Sequence, residues 1–210
     1  LFSGEQISPL LANDSIINIL AHSLFGLFFL GNTDPKKNTP RVLKAYSGYL
    51  KKSAKKLPLL IADLKEDAID RILEEEKMMD IKSYLSFPGY IENTDLAALY
   101  SGAFAFLYPS LRESFGIPML EAMACGTPII AGNTSAMPEI AGDGALLVDP
   151  FSPEDITAKI LKLENDGTFY QQQVEYGLKR SQMFSWRNTA ESLLSIYKEL
   201  SLSNICPVSK

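Results

Sequence analysis

Residues 108–128 read YPSLRESFGIPMLEAMACGTP: a strand end, a loop, a helix and the turn that opens the next strand. The preceding run, Ala103-Phe104-Ala105-Phe106-Leu107, is apolar and short. Such a run suits a strand buried on both faces of a parallel sheet. Gly116 and Pro118 fall where the helix begins, because proline is tolerated in a first turn whose N–H groups have no intrahelical partner. Met119, Leu120, Met123 and Ala124 share one helical face, and Gly126 is placed to end the helix just past its last turn. Two carboxylates bracket the helix start, Glu113 in the loop and Glu121 inside the helix.

The free N–H groups of a helix N-terminus carry partial positive charge and form a site for an anion such as phosphate. Carboxylates beside that site repel phosphate and suit hydroxyl groups instead. A nucleotide sugar presents both chemistries, a diphosphate flanked by a ribose and a hexose.

Working outward, short apolar runs alternate with helical patterns. Strands are expected at 24–30, 57–62, 84–87, 103–107, 129–131 and 145–148. Helices are expected at about 40–52, 66–79, 96–100, 153–165, 167–183 and 186–202, with a short one ending at Ala141. Asn93-Thr94-Asp95 reads as the cap of the third of these, and Ser152-Pro153 as a capped start with proline at the first helical position. Asn13-Asp14-Ser15 is placed to cap a further helix, and residues 1–23 read as an extension or linker. The alternation predicts a single α/β domain over 1–210: a doubly wound, mostly parallel six-stranded sheet with C-terminal helices. In such sheets ligands sit beyond the carboxyl ends of the strands.

Composition narrows the function classes. A net charge of −5 and a sequence pI near 5.0 give no footprint for nucleic acid. A single histidine, His22, does not support a His-based metal site or triad. Cys125 and Cys206 form no CxxC pattern, so Cys125 reads as a packed small residue. The apolar run Ile16–Leu30 is broken by Asn18, His22 and Ser23 and is short for a membrane span. Lys36, Lys37, Arg41, Lys44, Lys51, Lys52, Lys55 and Lys56 form a basic run with no acid between Asp34 and Asp63. Its later part reads first as a solvated face, with peripheral contact to an anionic lipid surface as the alternative. The first residue is Leu, and the chain is expected to be part of a longer protein.

The run Glu113-Ser114-Phe115-Gly116-Ile117-Pro118-Met119-Leu120-Glu121-Ala122-Met123-Ala124-Cys125-Gly126-Thr127-Pro128 resembles the Glu-x7-Glu signature of retaining GT-B glycosyltransferases of the group 1, or family 4, type. A second match is Gly31-Asn32-Thr33-Asp34-Pro35-Lys36-Lys37-Asn38, which resembles the family's diphosphate-holding loop. The resemblance covers about Phe28 to Trp186. It implies the Rossmann-like, donor-binding half of a GT-B fold, with the acceptor half outside this chain.

The resemblance further implies roles. Glu113 and Lys37 are the expected catalytic residues: Glu113 faces the hexose and Lys37 neutralises the diphosphate. Gly31, Asn32, Lys36, Ser114, Phe115, Gly116 and Ile117 are expected around the diphosphate, and Glu121 at the ribose. Gly89, Tyr90 and Ile91 form the turn expected to present backbone groups to the base. The chain departs from the family twice: Asn32 stands where an arginine is usual, and Asp63-Leu64 replaces a glycine-rich turn. Asn133 to Ser135 lie on a segment expected to run along the cleft. Phe184-Ser185-Trp186 matches the start of the family's last helix, whose Leu193, Leu194, Ile196 and Tyr197 are expected to be exposed without the other half. No metal and no cofactor are expected. The expected partners are a nucleoside-diphosphate-sugar donor and a glycan or lipid-linked acceptor, in cell-surface polysaccharide synthesis. The expected location is the cytoplasm or the periphery of the inner membrane. A non-catalytic nucleotide-binding module and another GT-B enzyme, such as an epimerase or a phosphorylase, are the alternatives.

Overall fold

The computed structural model describes residues 26–202. The expected helix after Asn13-Asp14-Ser15 and the whole 1–23 extension lie outside the described residues. Six parallel strands form one sheet: β1 (Leu27–Leu30), β2 (Leu59–Ala62), β3 (Leu85–Gly89), β4 (Ala105–Tyr108), β5 (Ile129–Gly132) and β6 (Leu146–Val148). Their order across the sheet is β3-β2-β1-β4-β5-β6. The chain therefore lays strands outward from β1 in one direction, then returns to add β4 on the other side. Leu27 is in register with Leu59 on one side and with Ala105 on the other.

Strand side chains alternate between faces, and each face has its own core. Leu27, Phe29, Leu59 and Ile61 pack under α1 (Thr39–Lys52), α2 (Glu66–Glu75) and α6 (Pro153–Asn165) through Val42, Tyr46, Ile69, Leu73, Ile156 and Ile160. Phe28, Leu60, Phe106 and Tyr108 pack on the other face against α3 (Asn93–Gly102), α4 (Ile117–Ala124) and α5 (Met137–Ala141). There Phe28, Tyr100, Phe106 and Tyr108 form a chain of ring contacts with centroids 5.2–5.5 Å apart. Burying one such side chain contributes about 2–3 kcal/mol, so this ring cluster anchors the strand that precedes the Glu113 loop.

Two helices follow α6: α7 (Gly167–Ser181) and α8 (Trp186–Leu202). Leu193, Leu194, Ile196 and Tyr197 of α8 are each about half exposed or more, as expected.

Boundaries moved where backbone chemistry left no sequence signal. The helix expected over 66–79 stops at Glu75, and a 3-10 segment runs from Met79 to Tyr84. Lys77 takes the left-handed conformation (φ 55°), while Met78 N–H donates to Leu73 at 2.7 Å and Lys77 N–H to Glu74 at 3.2 Å. That pair of bonds is a Schellman stop, usually made by glycine. Helix α4 ends by the same bonds, with Gly126 (φ 75°) in the left-handed position as the sequence predicts. The expected cap Asn93-Thr94-Asp95 is instead the first turn of α3. Glu92 takes the N-cap position and no side chain caps the helix. Asp95 sits where its charge meets the positive end of the helix.

Candidate functional site

The order β3-β2-β1-β4-β5-β6 reverses direction between β1 and β4, the point at which ligands bind in sheets of this kind, and two loops leave the strands there. They are the Gly31–Asn38 loop and the Pro109–Gly116 loop.

The first loop is shaped by close packing. A Cβ on Gly31 meets Leu64 Cδ1 at 2.7 Å and Phe29 Cε1 at 2.9 Å, so any larger residue where the chain leaves β1 must displace these side chains. The Asn32 side-chain oxygen accepts the Asp34 N–H at 2.9 Å, and the Asp34 carboxylate accepts the Lys36 N–H at 3.0 Å. Asn32 thus builds the turn and supplies no cation. Lys36 is exposed and pairs with Asp34 at 3.1 Å. Asn38 follows in the left-handed conformation (φ 64°) and opens α1.

The two loops are joined by hydrogen bonds. Leu111 N–H donates to Lys36 O at 2.7 Å. Asn38 Nδ2 donates to Pro109 O at 3.0 Å and to Pro150 O at 2.6 Å. Between these ties, Lys37 Nζ reaches Glu113 Oε1 at 2.8 Å. Both side chains are mostly shielded, 16% and 14% exposed. The ammonium also lies 5.1 Å from the centre of the Tyr108 ring. Burial raises the Glu113 pKa, but the Lys37 ammonium and hydrogen bonds from Tyr108 and Ser110 outweigh it and hold the carboxyl below its ordinary value. Burial first, and the Glu113 charge next, push the Tyr108 phenol well above its usual range. Lys37 and Glu113, expected at different parts of a ligand, are here each other's partners.

A third loop braces the second. A Cβ on Gly132 meets Ser110 O at 2.7 Å, so β5 ends in close approach to the Glu113 loop. Thr134 donates to Leu111 O at 3.1 Å and Ser135 to Glu113 O at 2.6 Å. Asn133 and Ser135 are exposed beside it.

Helix α4 begins directly after. Gly116 is its N-cap, left-handed at φ 94°, with Pro118 in the first turn and no side-chain cap. Pro118 has no N–H and the Met119 N–H donates to Gly116 O at 3.0 Å, which leaves the Ile117 N–H of the first turn for a ligand. Ser114, Phe115 and Ile117 are exposed around this end, and the Phe115 ring meets Phe184 edge-on at 6.0 Å. One turn in, Glu121 is partly buried and accepts a long 3.4 Å bond from Tyr100 Oη. Burial raises its pKa, and the Tyr100 hydroxyl only partly offsets that.

On the β2–β3 side, Asp63 occupies the expected glycine turn in the left-handed conformation (φ 63°). Its N–H donates to Gly89 O at 2.9 Å, which links the turn to Gly89–Ile91. Burial raises the Asp63 pKa, against a backbone hydrogen bond from Ile91 and the charge of Lys37. Gly89 has φ 79° and open space where a Cβ belongs. Tyr90 is 72% exposed, whereas the Ile91 side chain is buried in the core beside Leu99 and contributes no surface.

Sequence reading missed the work of Asn38, Tyr108 and Ser110. Asn38 carried one legible signal: an asparagine, tolerant of the left-handed conformation, immediately before a Thr-Pro helix start. Among the described residues, no group of three or more His, Cys, Asp or Glu side chains is arranged to hold a metal ion. No described helix is long and apolar enough to cross a membrane.

The family model described as glycosyl transferases group 1 matches residues 20–180. The chain belongs to the group 1 glycosyl transferases. It is 31% identical over 175 residues to the O-antigen chain mannosyltransferase B of Escherichia coli, covering 82% of this chain and 45% of that protein. It is 40% identical over 109 residues to the D-inositol 3-phosphate glycosyltransferase of Corynebacterium jeikeium, covering 50% and 26%. This group 1 chain thus spans less than half the length of the curated relatives it matches. Its fold is shared with the sucrose-phosphate synthase of Thermosynechococcus elongatus, with TM-score 0.74, 24% identity and coverage of 91% and 49%. It is shared too with the C-terminal domain of a group 1 glycosyl transferase from Francisella tularensis, with TM-score 0.65, 24% identity and coverage of 76% and 85%. These likenesses identify the sheet as the C-terminal, Rossmann-like half of the GT-B fold.

Proposed function

We propose that this group 1 chain binds the donor of a hexosyltransferase that uses a nucleoside-diphosphate sugar. The observation that carries the proposal is the meeting of Lys37 and Glu113, from the loops after β1 and β4, beside the N-terminus of α4. The donor's diphosphate sits before the open N–H groups of Phe115 to Ile117, with Lys37 as its cation and Gly31, Asn32 and Lys36 alongside. Glu121 holds the ribose hydroxyls, and the base lies over Gly89, Tyr90 and the Ile91 backbone. Glu113 faces the hexose, where a carboxylate favours the positive charge that develops on the ring.

In the transfer itself, the bond from the anomeric carbon to the diphosphate oxygen breaks, and its electron pair leaves with the diphosphate. Lys37 and the helix N–H groups offset that charge. The acceptor hydroxyl bonds the same carbon from the same face, its proton passes to the departing phosphate, and configuration is retained. The acceptor is a glycan or a lipid-linked glycan of cell-surface polysaccharide synthesis, held through a second domain. The isolated chain binds donor and transfers negligibly, because the acceptor cleft needs both domains. The reaction runs on the cytoplasmic side without metal or cofactor.

Titration with UDP, GDP and ADP tests the reading. Binding of one nucleotide that is lost in Lys37→Ala and Glu121→Ala supports it, and no nucleotide binding overturns it. A second reading, a nucleotide-binding module without catalysis, draws on Asn32, whose amide is spent on a turn where the family has an arginine. Hexose transfer by the two-domain protein excludes that reading.

A further inference from the structure

We infer that Asn38 is the positioning residue for the Lys37 ammonium, fixing it against the Glu113 loop for a phosphate-bearing ligand. The inference rests on the donor-binding reading above.

Asn38 is 1% exposed and sits at φ 64°, ψ 25°. Asparagine tolerates that conformation, so what marks the position is a polar side chain kept wholly out of solvent. It opens α1, yet its side chain makes no capping bond to that helix. The amide is spent across the sheet edge instead. Arg41 donates to Oδ1 at 3.1 Å, which turns Nδ2 toward the carbonyls of Pro109 and Pro150. One side chain thus ties the loop after β1 to the loops after β4 and β6.

The tie falls where it controls Lys37. On the other side of Lys37, the carbonyl of Lys36 accepts the Leu111 N–H at 2.7 Å. Lys37 is therefore held at both neighbours to the segment Pro109–Leu111, two residues short of Glu113. A flexible lysine side chain gains its place from a fixed backbone at its root. Loss of the Asn38 bonds releases one of the two fixed points, and the cation then costs more to order at a phosphate.

The test is calorimetric titration of the whole 210-residue chain with UDP and GDP, with uridine and guanosine followed by saturation-transfer NMR. Asn38→Asp keeps size and the Arg41 contact but removes both donated bonds. The expected result is about tenfold weaker binding of the nucleoside diphosphate, with nucleoside binding unchanged. Asn38→Asp added to Lys37→Ala is expected to cost nothing further, because the positioned group is gone. Asn38→Gly, which adopts the left-handed conformation freely, is expected to show the same loss. Wild-type affinity in Asn38→Asp overturns the inference, as does equal loss of nucleoside and nucleotide, or an additive loss on Lys37→Ala. Failure of both variants to fold also overturns it, by placing the role of Asn38 in the fold alone. If the wild-type chain binds none of the four ligands, the donor-binding reading falls and this inference with it.

Discussion

Two carboxylates, each brought in from far along the chain, are shielded at opposite edges of the same sheet. At the amino edge of the strands, Glu164 of α6 accepts bonds from the Tyr49 hydroxyl and from Ser53 at 2.9 Å, both at the end of α1. At the carboxyl edge, Glu113 pairs with Lys37 at 2.8 Å. The partners differ in kind. Glu164 is met by neutral hydroxyls that have no better partner, and burial with the Glu164 bond pushes the Tyr49 phenol up to about 12. That arrangement braces α1 against α6. Glu113 is met by a cation, the Lys37 ammonium, which the proposed function assigns to a diphosphate. Comparable burial thus goes with neutral partners in one place and with a charged partner in the other.

The sharpest break between the two would come from removing each carboxylate. Glu164→Ala leaves the Tyr49 and Ser53 hydroxyls without the acceptor for their own protons, although each still accepts backbone N–H bonds from the segment Lys55 to Leu57. It is expected to cost about 3 kcal/mol, a fall in Tm of roughly 6–12 °C in thermal denaturation. Nucleotide affinity should be unchanged in the folded fraction; a loss there would erase the distinction. Lys37→Ala is expected to weaken UDP or GDP binding roughly 30-fold by calorimetry, and to lower Tm by a few degrees because the shielded Glu113 carboxylate loses its partner. Glu113→Gln frees the lysine, and nucleoside diphosphate should bind about five- to tenfold tighter, although transfer by the two-domain enzyme is lost. Unchanged or weaker binding in Glu113→Gln would show that the pair is another strut.

The smallest effect lies in pH. The folded pKa of Glu113 is depressed, so its contribution to stability is present above the ordinary glutamate pKa and is lost as pH falls through the folded value. The folded pKa of Glu121 is raised, so its contribution is present in acid and is lost as pH rises through the folded value. Glu121→Gln should therefore melt a few degrees above the wild type at pH 7 and lose that advantage by pH 4. A parallel offset at both pH values would show that Glu121 is not under strain.

Much of this was legible in residues 108–128. The helix from Ile117, its glycine cap at Gly116 and its stop at Gly126 follow from local chemistry, and the parallel sheet follows from apolar runs with no alternation. What the sequence withheld was neighbourhood. Nothing local says that β4 returns to the side of β1, so the 2.8 Å contact between Lys37 and Glu113 was not visible, though each was singled out. Ile91 keeps its expected place in the turn, while the burial of its side chain leaves only its backbone to serve a ligand. Glycine marked some of the left-handed turns. Asn38, Asp63 and Lys77 adopt the same conformation without that marker, and of these only Asp63 stands at a turn expected from the sequence.

The strand order has a consequence for how the chain is made. β1 is paired on one side by β2, and its other edge is closed only by β4, from Leu27 opposite Ala105. During synthesis the sheet's central strand must wait with one edge open until residues up to Tyr108 have left the ribosome. Parallel pairing over that span forms slowly and leaves an adhesive edge in the meantime. The same gap in translation separates Lys37 from Glu113. The nascent chain therefore cannot pair Lys37 with Glu113 before the residues that close the central sheet edge have been made.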